Sequence, residues 1–314
     1  MPSASGARPS RLCGERASRL LNPVSTTSDR RKSSGETPDG RTAGTAVLRT
    51  NVDDAERIRD LADALVSRRG RTIITARLML SFIVPAFNEE NELPETLRAL
   101  RAAADASGQA YEIIVVDDAS TDATPIVATA AGARVVSVKL RHIAAVRNVG
   151  ARAASGDVLF FVDADTRILP EHVADALAAL RAGCAGGGAR MELDAGVPFW
   201  GGVLARVFAA MYFAANLGAG AFLFTTRENF EKAGGFDEQY FAGEEVFFTK
   251  ALKRLGRFQL LQRPMRTSGR KLRMHSPAKV LIGIFALAFA GPRALGTRAK
   301  LDFWYDGKRE RKTT

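Results

Sequence analysis

Leu159-Phe160-Phe161-Val162-Asp163-Ala164-Asp165 is an apolar run that stops in two carboxylates one residue apart. Gly156-Asp157 precedes it and Thr166 follows, so the run reads as a strand covered on both faces, which needs no polar alternation. Asp163 and Asp165 then stand at the C-terminal mouth of that strand, the edge at which open α/β sheets take ligands. Residues i and i+2 of an extended chain point the same way, so both carboxylates can face one hard divalent cation. An acidic turn is the alternative reading, because Asp is common in turns for its local hydrogen bonding. Asp-x-Asp alone does not separate the two.

The same pattern recurs upstream. Leu78 to Val84 is an apolar strand leading into Pro85-Ala86-Phe87-Asn88-Glu89-Glu90, then a helix with Leu93, Leu97 and Leu100 on one face up to Ser107-Gly108. Glu112 to Val116 is a second strand and ends in Asp117-Asp118-Ala119-Ser120-Thr121-Asp122, with a helix opening near Pro125. Val135 to Val138 is a third, leading through His142 to a helix over Ala144 to Ala154. Strands alternating with helices indicate βαβ units and a parallel sheet. Beyond Asp165 the spacing predicts a helix from Pro170 to Arg181 and a flexible glycine link over Gly183 to Gly188. A strand over Ala189 to Leu193 follows, then a helix from Phe199 to Leu217 that reads as amphipathic or buried, with core packing the favoured role. A short strand Phe222 to Thr226, a turn of helix broken by Gly234-Gly235, and a helix from Val246 to Leu255 behind Gly243-Glu244-Glu245 complete the pattern.

The chain has 314 residues, 46% of them hydrophobic, which suffices for a sizeable core. Its net charge of +11 divides between a segment 1–78 with 15 Lys+Arg against 9 Asp+Glu and a remainder with 30 against 25. No basic stripe interleaved with aromatics and no zinc spacing accompanies that charge, so a nucleic-acid partner is not indicated. An acidic substrate or an anionic membrane surface accounts for it equally well. Residues 1–50 are Ser, Thr, Arg, Gly and Pro without periodicity and are expected to be disordered, with a short amphipathic helix conceivable over Val52 to Val66. Met79 directly precedes the first strand, and the expectation is that it is the initiator and that 1–78 lies upstream of the true start. Cys13 and Cys184 are far apart in unrelated contexts, which fits a reducing compartment better than a disulfide. No secretory h-region and no uninterrupted apolar stretch of spanning length occurs, so a cytoplasmic protein is expected, with surface attachment to the inner face of the cytoplasmic membrane left open.

Three strands thus end in carboxylates: Glu89-Glu90, Asp117-Asp118, and Asp163 with Asp165. Gathering that many like charges at one edge is costly unless a cation or a donor-rich ligand offsets them. A nucleoside diphosphate with its metal meets that need. Five segments together resemble the ordered motifs of family 2 glycosyltransferases with the GT-A fold. They are Ser81 to Glu90, Val115 to Asp122, Arg147-Asn148-Val149-Gly150, Phe161 to Asp165, and Gly234-Gly235-Phe236-Asp237-Glu238. The likeness spans roughly Leu80 to Leu255.

That resemblance implies a three-layer α/β sandwich with a mostly parallel central sheet, divided as a catalytic domain 79–262 and a C-terminal region 263–314. It also implies a metal-dependent, inverting, single-addition transfer of a sugar from a nucleotide-sugar donor to an acceptor hydroxyl. Pro85, Ala86 and Glu89 would hold the base and ribose, Asp117 or Asp118 would accept from the base with Asp118 preferred, and Arg147 would approach the diphosphate. Asp163 would contact ribose and metal and Asp165 the metal, Mg²⁺ or Mn²⁺, with His275 a further candidate ligand. Arg270, Lys271 and Arg273 would form a basic loop over the diphosphate, or face solvent or lipid phosphate. The catalytic base would come from Glu244-Glu245, where the family more often has Glu-Asp; Glu245 is the assigned base. The apolar segment 196–224 and a possible interfacial helix over Val280 to Ala290 suggest a lipid-linked acceptor. Two rivals stand beside this reading. A sugar-1-phosphate nucleotidyltransferase would need a basic, glycine-rich loop where Pro85 to Glu90 is acidic. A non-catalytic nucleotide-sugar-binding relative would lack a working acceptor side.

Overall fold

The structure, a computed structural model, describes residues 78–274. The expectations for the N-terminal extension, for His275 as a metal ligand and for Val280 to Ala290 as an interfacial helix lie outside the described residues.

Four strands build one half of the sheet: β1 (Met79–Ala86), β2 (Ala110–Asp118), β3 (Arg134–Val138) and β4 (Val158–Val162), in spatial order β3-β2-β1-β4 and all parallel. Each is followed or preceded by a helix: α1 (Leu93–Ala106), α2 (Thr124–Ala130) and α3 (Ile143–Ala153). Leu80, Phe82, Val84, Phe160 and Val162 feed one core, while Ile83, Ile114, Leu159 and Phe161 feed the other on the opposite face. That two-sided burial is why these strands read as continuous apolar runs. Chain order runs outward from β1 to β2 and β3 and then jumps back to β4 on the other side of β1. The β1–β4 boundary is therefore the topological switch point, where open α/β sheets form their ligand crevice.

The second half of the sheet is mixed. After β5 (Thr166–Arg167) and α4 (Pro170–Arg181) come β6 (Gly186–Leu193), α5 (Phe199–Ala214), β7 (Phe222–Thr226), α6 (Arg227–Ala233), α7 (Glu244–Leu255), β8 (Phe258–Thr267) and α8 (Arg270–Met274). Strand β7 joins β4 and β6 antiparallel, β6 joins β8 in parallel, and β5 closes the edge antiparallel to β8. Helices cover both faces, so the α/β sandwich with a mostly parallel sheet expected from the sequence is the observed architecture.

Three sequence readings need correction here. Gly186-Gly187-Gly188 is strand, not a flexible link: a Cβ on Gly187 would lie 2.2 Å from the Gln259 carbonyl and 2.3 Å from the Phe224 ring, so the glycines are there to let neighbours close in. The boundary drawn at residue 262 falls inside β8, which pairs along its length with β6. Helix α5 does not bury its length in the core, because Phe199, Val203, Val207 and Met211 are exposed.

Candidate active site

The C-terminal ends of β1, β2 and β4 bring the sequence-predicted carboxylates to one edge. Pro85 and Ala86 end β1 in register with Val116 and Asp117 of β2, so Ala86 lies directly beside Asp117. The two loops that follow are laced together: Ser120 Oγ accepts from the Asn88 amide at 2.9 Å, Thr124 Oγ1 from the Glu89 amide at 2.7 Å, and Glu90 Oε2 from the Ala123 amide at 2.9 Å. The Glu90 amide also donates to Asp122 Oδ2 at 3.2 Å, so Glu90 and Asp122 tie the two loops together.

The adjacent aspartates have different work. Asp118, the preferred base acceptor from sequence, accepts at Oδ1 from the amides of Leu140 at 2.7 Å and Arg141 at 2.9 Å, which fixes the connection from β3 to α3. Asp117 is 5% exposed, and its Oδ1 is buried with no hydrogen-bond partner among the described residues. A buried acceptor without a donor costs free energy and marks a group awaiting a partner.

At the switch point stands Arg147, on the inner face of α3 and 2% exposed. Its guanidinium bonds Asp163 Oδ1 at 2.8 Å, the Gly220 carbonyl at 3.0 Å, and Glu244 Oε1. Burial alone would lower the Arg147 pKa, but Asp163, Glu244 and Glu245 hold it above its ordinary value, so the cation is permanent. Phe236 lies beneath it, 5.2 Å from ring centre to guanidinium carbon. Asn148, the next residue, donates to the Phe236 carbonyl and Glu238 and accepts from the Phe236 amide at 2.9 Å. Gly234 and Gly235 just before it both take positive φ, at 81° and 72°, which is open to glycine at little cost. The Arg147-Asn148 and Gly234-to-Glu238 motifs are therefore two halves of one clamp that sets Phe236 under Arg147 and starts α7 at Glu244.

Glu245 follows in the first turn of α7. Its Oε1 lies 3.4 Å from the hydroxyl of Tyr212 on α5, and that hydroxyl also donates to the Gly218 carbonyl at 3.1 Å. Burial pushes the Glu245 carboxyl up to about 8, with Glu244 adding to the rise and Arg147 opposing it. Burial likewise pushes the Asp163 carboxyl up, against the pull of Arg147 and with Asp165 and Glu244 contributing.

A second internal cation was not anticipated at this place. Arg270, 8% exposed on α8, grips Glu89 with both terminal nitrogens at 2.6 and 2.5 Å and reaches Asp165 Oδ2 at 3.2 Å. Asp165 also accepts from Thr267 Oγ1 at 3.3 Å. The like charges that seemed on the sequence to demand an external cation are thus held largely by Arg147 and Arg270. Only the basic run from Arg270 to Arg273 hinted at this, and its spacing did not show which side chain turns inward. Arg270→Met would strip two charge-assisted bonds from a buried carboxylate and should lower stability on the order of 3 kcal/mol. Adding Glu89→Gln should recover most of the loss in thermal unfolding; additive losses would show that the pair is not coupled.

Among the described residues no cluster of three or more His, Cys, Asp or Glu side chains is arranged to hold a metal ion. Asp163 and Asp165 are the carboxylates at that edge that would offer hard oxygen ligands, and Mg²⁺ or Mn²⁺ commonly takes one or two carboxylates and completes its shell from phosphate oxygens and water. The donor set fits such an ion bound together with a diphosphate.

A mostly parallel sheet with its switch-point crevice lined by strand-end carboxylates fits the GT-A fold. Two solved structures share the fold. Glucosyl-3-phosphoglycerate synthase from Mycobacterium tuberculosis, in complex with Mn²⁺ and UDP-glucose, superimposes with a TM-score of 0.50 at 22% identity over 73% of this chain and 85% of that one. S. aureus TarS 1–349 in complex with UDP-GlcNAc does so with 0.50 at 20% identity over 72% and 71%. Residues 81–230, just under half of the chain, match the family model described as glycosyl transferase family 2. Curated relatives include the undecaprenyl-phosphate 4-deoxy-4-formamido-L-arabinose transferases of Sodalis glossinidius, 36% identical over 106 residues, and Pseudomonas paraeruginosa, 37% identical over 107. Each alignment takes in 30% of this chain, and the chain covers 31% and 30% of those relatives. No helix among the described residues is long and apolar enough to cross a membrane.

Proposed function

We propose that this chain is an inverting glycosyltransferase that moves a single sugar from a nucleotide-sugar donor to a hydroxyl of a lipid-linked acceptor at the inner face of the cytoplasmic membrane. The observation that carries the donor half is the buried, unpartnered Oδ1 of Asp117 beside Ala86. An imide or amide N–H of a nucleobase supplies the donor it lacks. Asp117, rather than Asp118, is accordingly the base reader in this proposal. Asp163 faces the ribose and, with Asp165, would hold Mg²⁺ or Mn²⁺. That ion, when bound, offsets charge on the departing diphosphate as a Lewis acid. Arg147 acts from below, fixing Asp163 and Glu244 in place rather than reaching into the crevice. Arg270 pairs with Glu89 and Asp165, and its fork also suits the oxygens of a diphosphate. Glu245 takes the acceptor hydroxyl's proton, and a carboxyl poised near 8 is matched to that task near neutral pH.

Asp117→Ala should leave the unfolding midpoint of the free protein unchanged or slightly higher, because no bond is lost. It should weaken donor binding about 10- to 100-fold, the worth of one hydrogen bond to a charged group. Thermal shifts with UDP-, GDP- and TDP-sugars, each with and without Mn²⁺, read both quantities. A donor that stabilises wild type and the variant equally would remove Asp117 from the site.

A second reading is favoured by one observation, the undecaprenyl-phosphate acceptor in the names of the curated relatives. A lipid phosphate is already an anion and attacks without a base. Glu245 would then be a positioning residue.

A further inference from the structure

Helix α5 presents two unlike faces. Tyr212 points inward to Glu245, Phe213 packs on the core, and Leu272 of α8 sits over Gly201. Outward, Phe199, Val203, Val207 and Met211 fall four residues apart along one ridge, exposed by 87%, 42%, 53% and 64%. Eight large hydrophobic side chains are exposed among the described residues, and four of them form this ridge, so the exposure is concentrated rather than scattered. The helix contains no acidic residue, and its one charge is Arg206, exposed between Val203 and Val207. At the C-terminal end Lys253 Nζ donates to the Ala215 carbonyl at 3.1 Å, which adds a second cation there.

We infer that this ridge of α5 docks the protein on an anionic lipid bilayer, with its apolar side chains entering the headgroup boundary and Arg206 and Lys253 meeting lipid phosphates. An apolar ridge with cations at its margin is the composition of a helix that lies in an interface rather than across it. Charge complementarity selects the bilayer over an apolar protein partner. So does the chain outside the described residues: 275–314 leaves from α8, which is packed on α5, and carries eight Lys+Arg against three Asp+Glu together with the apolar run Val280 to Ala290. The inference deepens the lipid-linked reading, because Tyr212 on the opposite face of α5 touches the assigned base. Docking by the ridge would bring the acceptor side of the crevice to the lipid surface.

Vesicle co-sedimentation of the full chain, without donor or acceptor, tests this independently of catalysis. Wild type should bind phosphatidylcholine vesicles containing phosphatidylglycerol more tightly than phosphatidylcholine alone. Val207→Ser combined with Met211→Ser should weaken that binding at least about tenfold while leaving the unfolding midpoint unchanged. If that variant fails to fold, Met211→Trp decides, since lipids brominated on their acyl chains should quench its added fluorescence. Wild type that ignores vesicles, a serine variant that binds as tightly as wild type, or an unquenched Trp at 211 would overturn the inference. Each of those is also the result expected if the ridge is covered by the chain's own C-terminal segment or by a second copy. Transfer to a water-soluble acceptor surviving in the serine variant would show that the catalytic reading stands whatever the vesicles report.

Discussion

Arg147→Met should lower the midpoint of thermal unfolding by about 10 °C. The side chain is 3% exposed and bonds Asp163, Glu244 and the Gly220 carbonyl at once, so no solvent replaces it when it goes. Removing one partner from a buried ion pair typically costs about 3–5 kcal/mol, and for a folded region of this size each kcal/mol moves the midpoint by roughly 2–4 °C. The hydrophobic part of the loss is small, since methionine retains most of the aliphatic stem, although the guanidinium's place over Phe236 is given up. Glu244 decides whether the cause is electrostatic. In the wild-type background Glu244→Gln should destabilise, because it exchanges a buried charge-assisted bond for a neutral one. In the Arg147→Met background the same change should be neutral or stabilising, because it removes a buried charge that has lost its arginine. Additive losses would mean that Arg147 contributes packing alone and that the triad is not a unit.

The contrast between what the chain declared and what it concealed follows from the range over which each feature is determined. Strands β1, β2 and β4 were legible because burial on both faces writes itself as an unbroken apolar run, and the acids that end them were legible because they interrupt those runs. Strand β8 was not expected. Its pattern, buried at Phe258, Leu260 and Leu261 but polar at Gln262 and Arg263, follows a sheet edge shared by β5 and β6 that only tertiary pairing creates. Helix α5 was expected to pack in the core because it is apolar nearly all round, and such composition does not say whether its second face meets protein or lipid. Arg270 stood among arginines with nothing local to mark it; its partner Glu89 lies 181 residues away in sequence. Asp117 and Asp118 are chemically identical neighbours at the end of one strand. They differ only in that one meets the amides of Leu140 and Arg141, a distinction set by the course of the loop after β3.

Glu245→Gln should reduce kcat by about 10²–10⁴-fold, the usual contribution of a positioned general base, while KM for the donor changes little. Glutamine keeps the size of the side chain and cannot take a proton, so the loss isolates proton transfer. The wild-type pH dependence follows from the raised carboxyl. Its folded value of about 8 lies above the ordinary 4.5, so between these pH values the folded protein holds a proton that the unfolded chain has released. Two signs result. Stability falls as pH rises from about 4.5 to 8, because the unfolded state binds fewer protons across that window. Activity rises toward pH 8 over the same interval, because only the ionised carboxylate accepts the acceptor's proton. Glu245→Gln should therefore unfold at a higher temperature than wild type at pH 8.5 and show little advantage at pH 5, while its residual activity stays flat with pH. Tyr212 tests the assignment, since its hydroxyl lies 3.4 Å from Glu245 Oε1; Tyr212→Phe should move the activity midpoint without abolishing turnover. If the nucleophile is instead a lipid phosphate, Glu245→Gln should lose less than about tenfold and the rise with pH should be missing from wild type. Measuring kcat against pH for both proteins on one lipid-linked acceptor separates these outcomes, because the base reading requires the carboxylate and the phosphate reading does not.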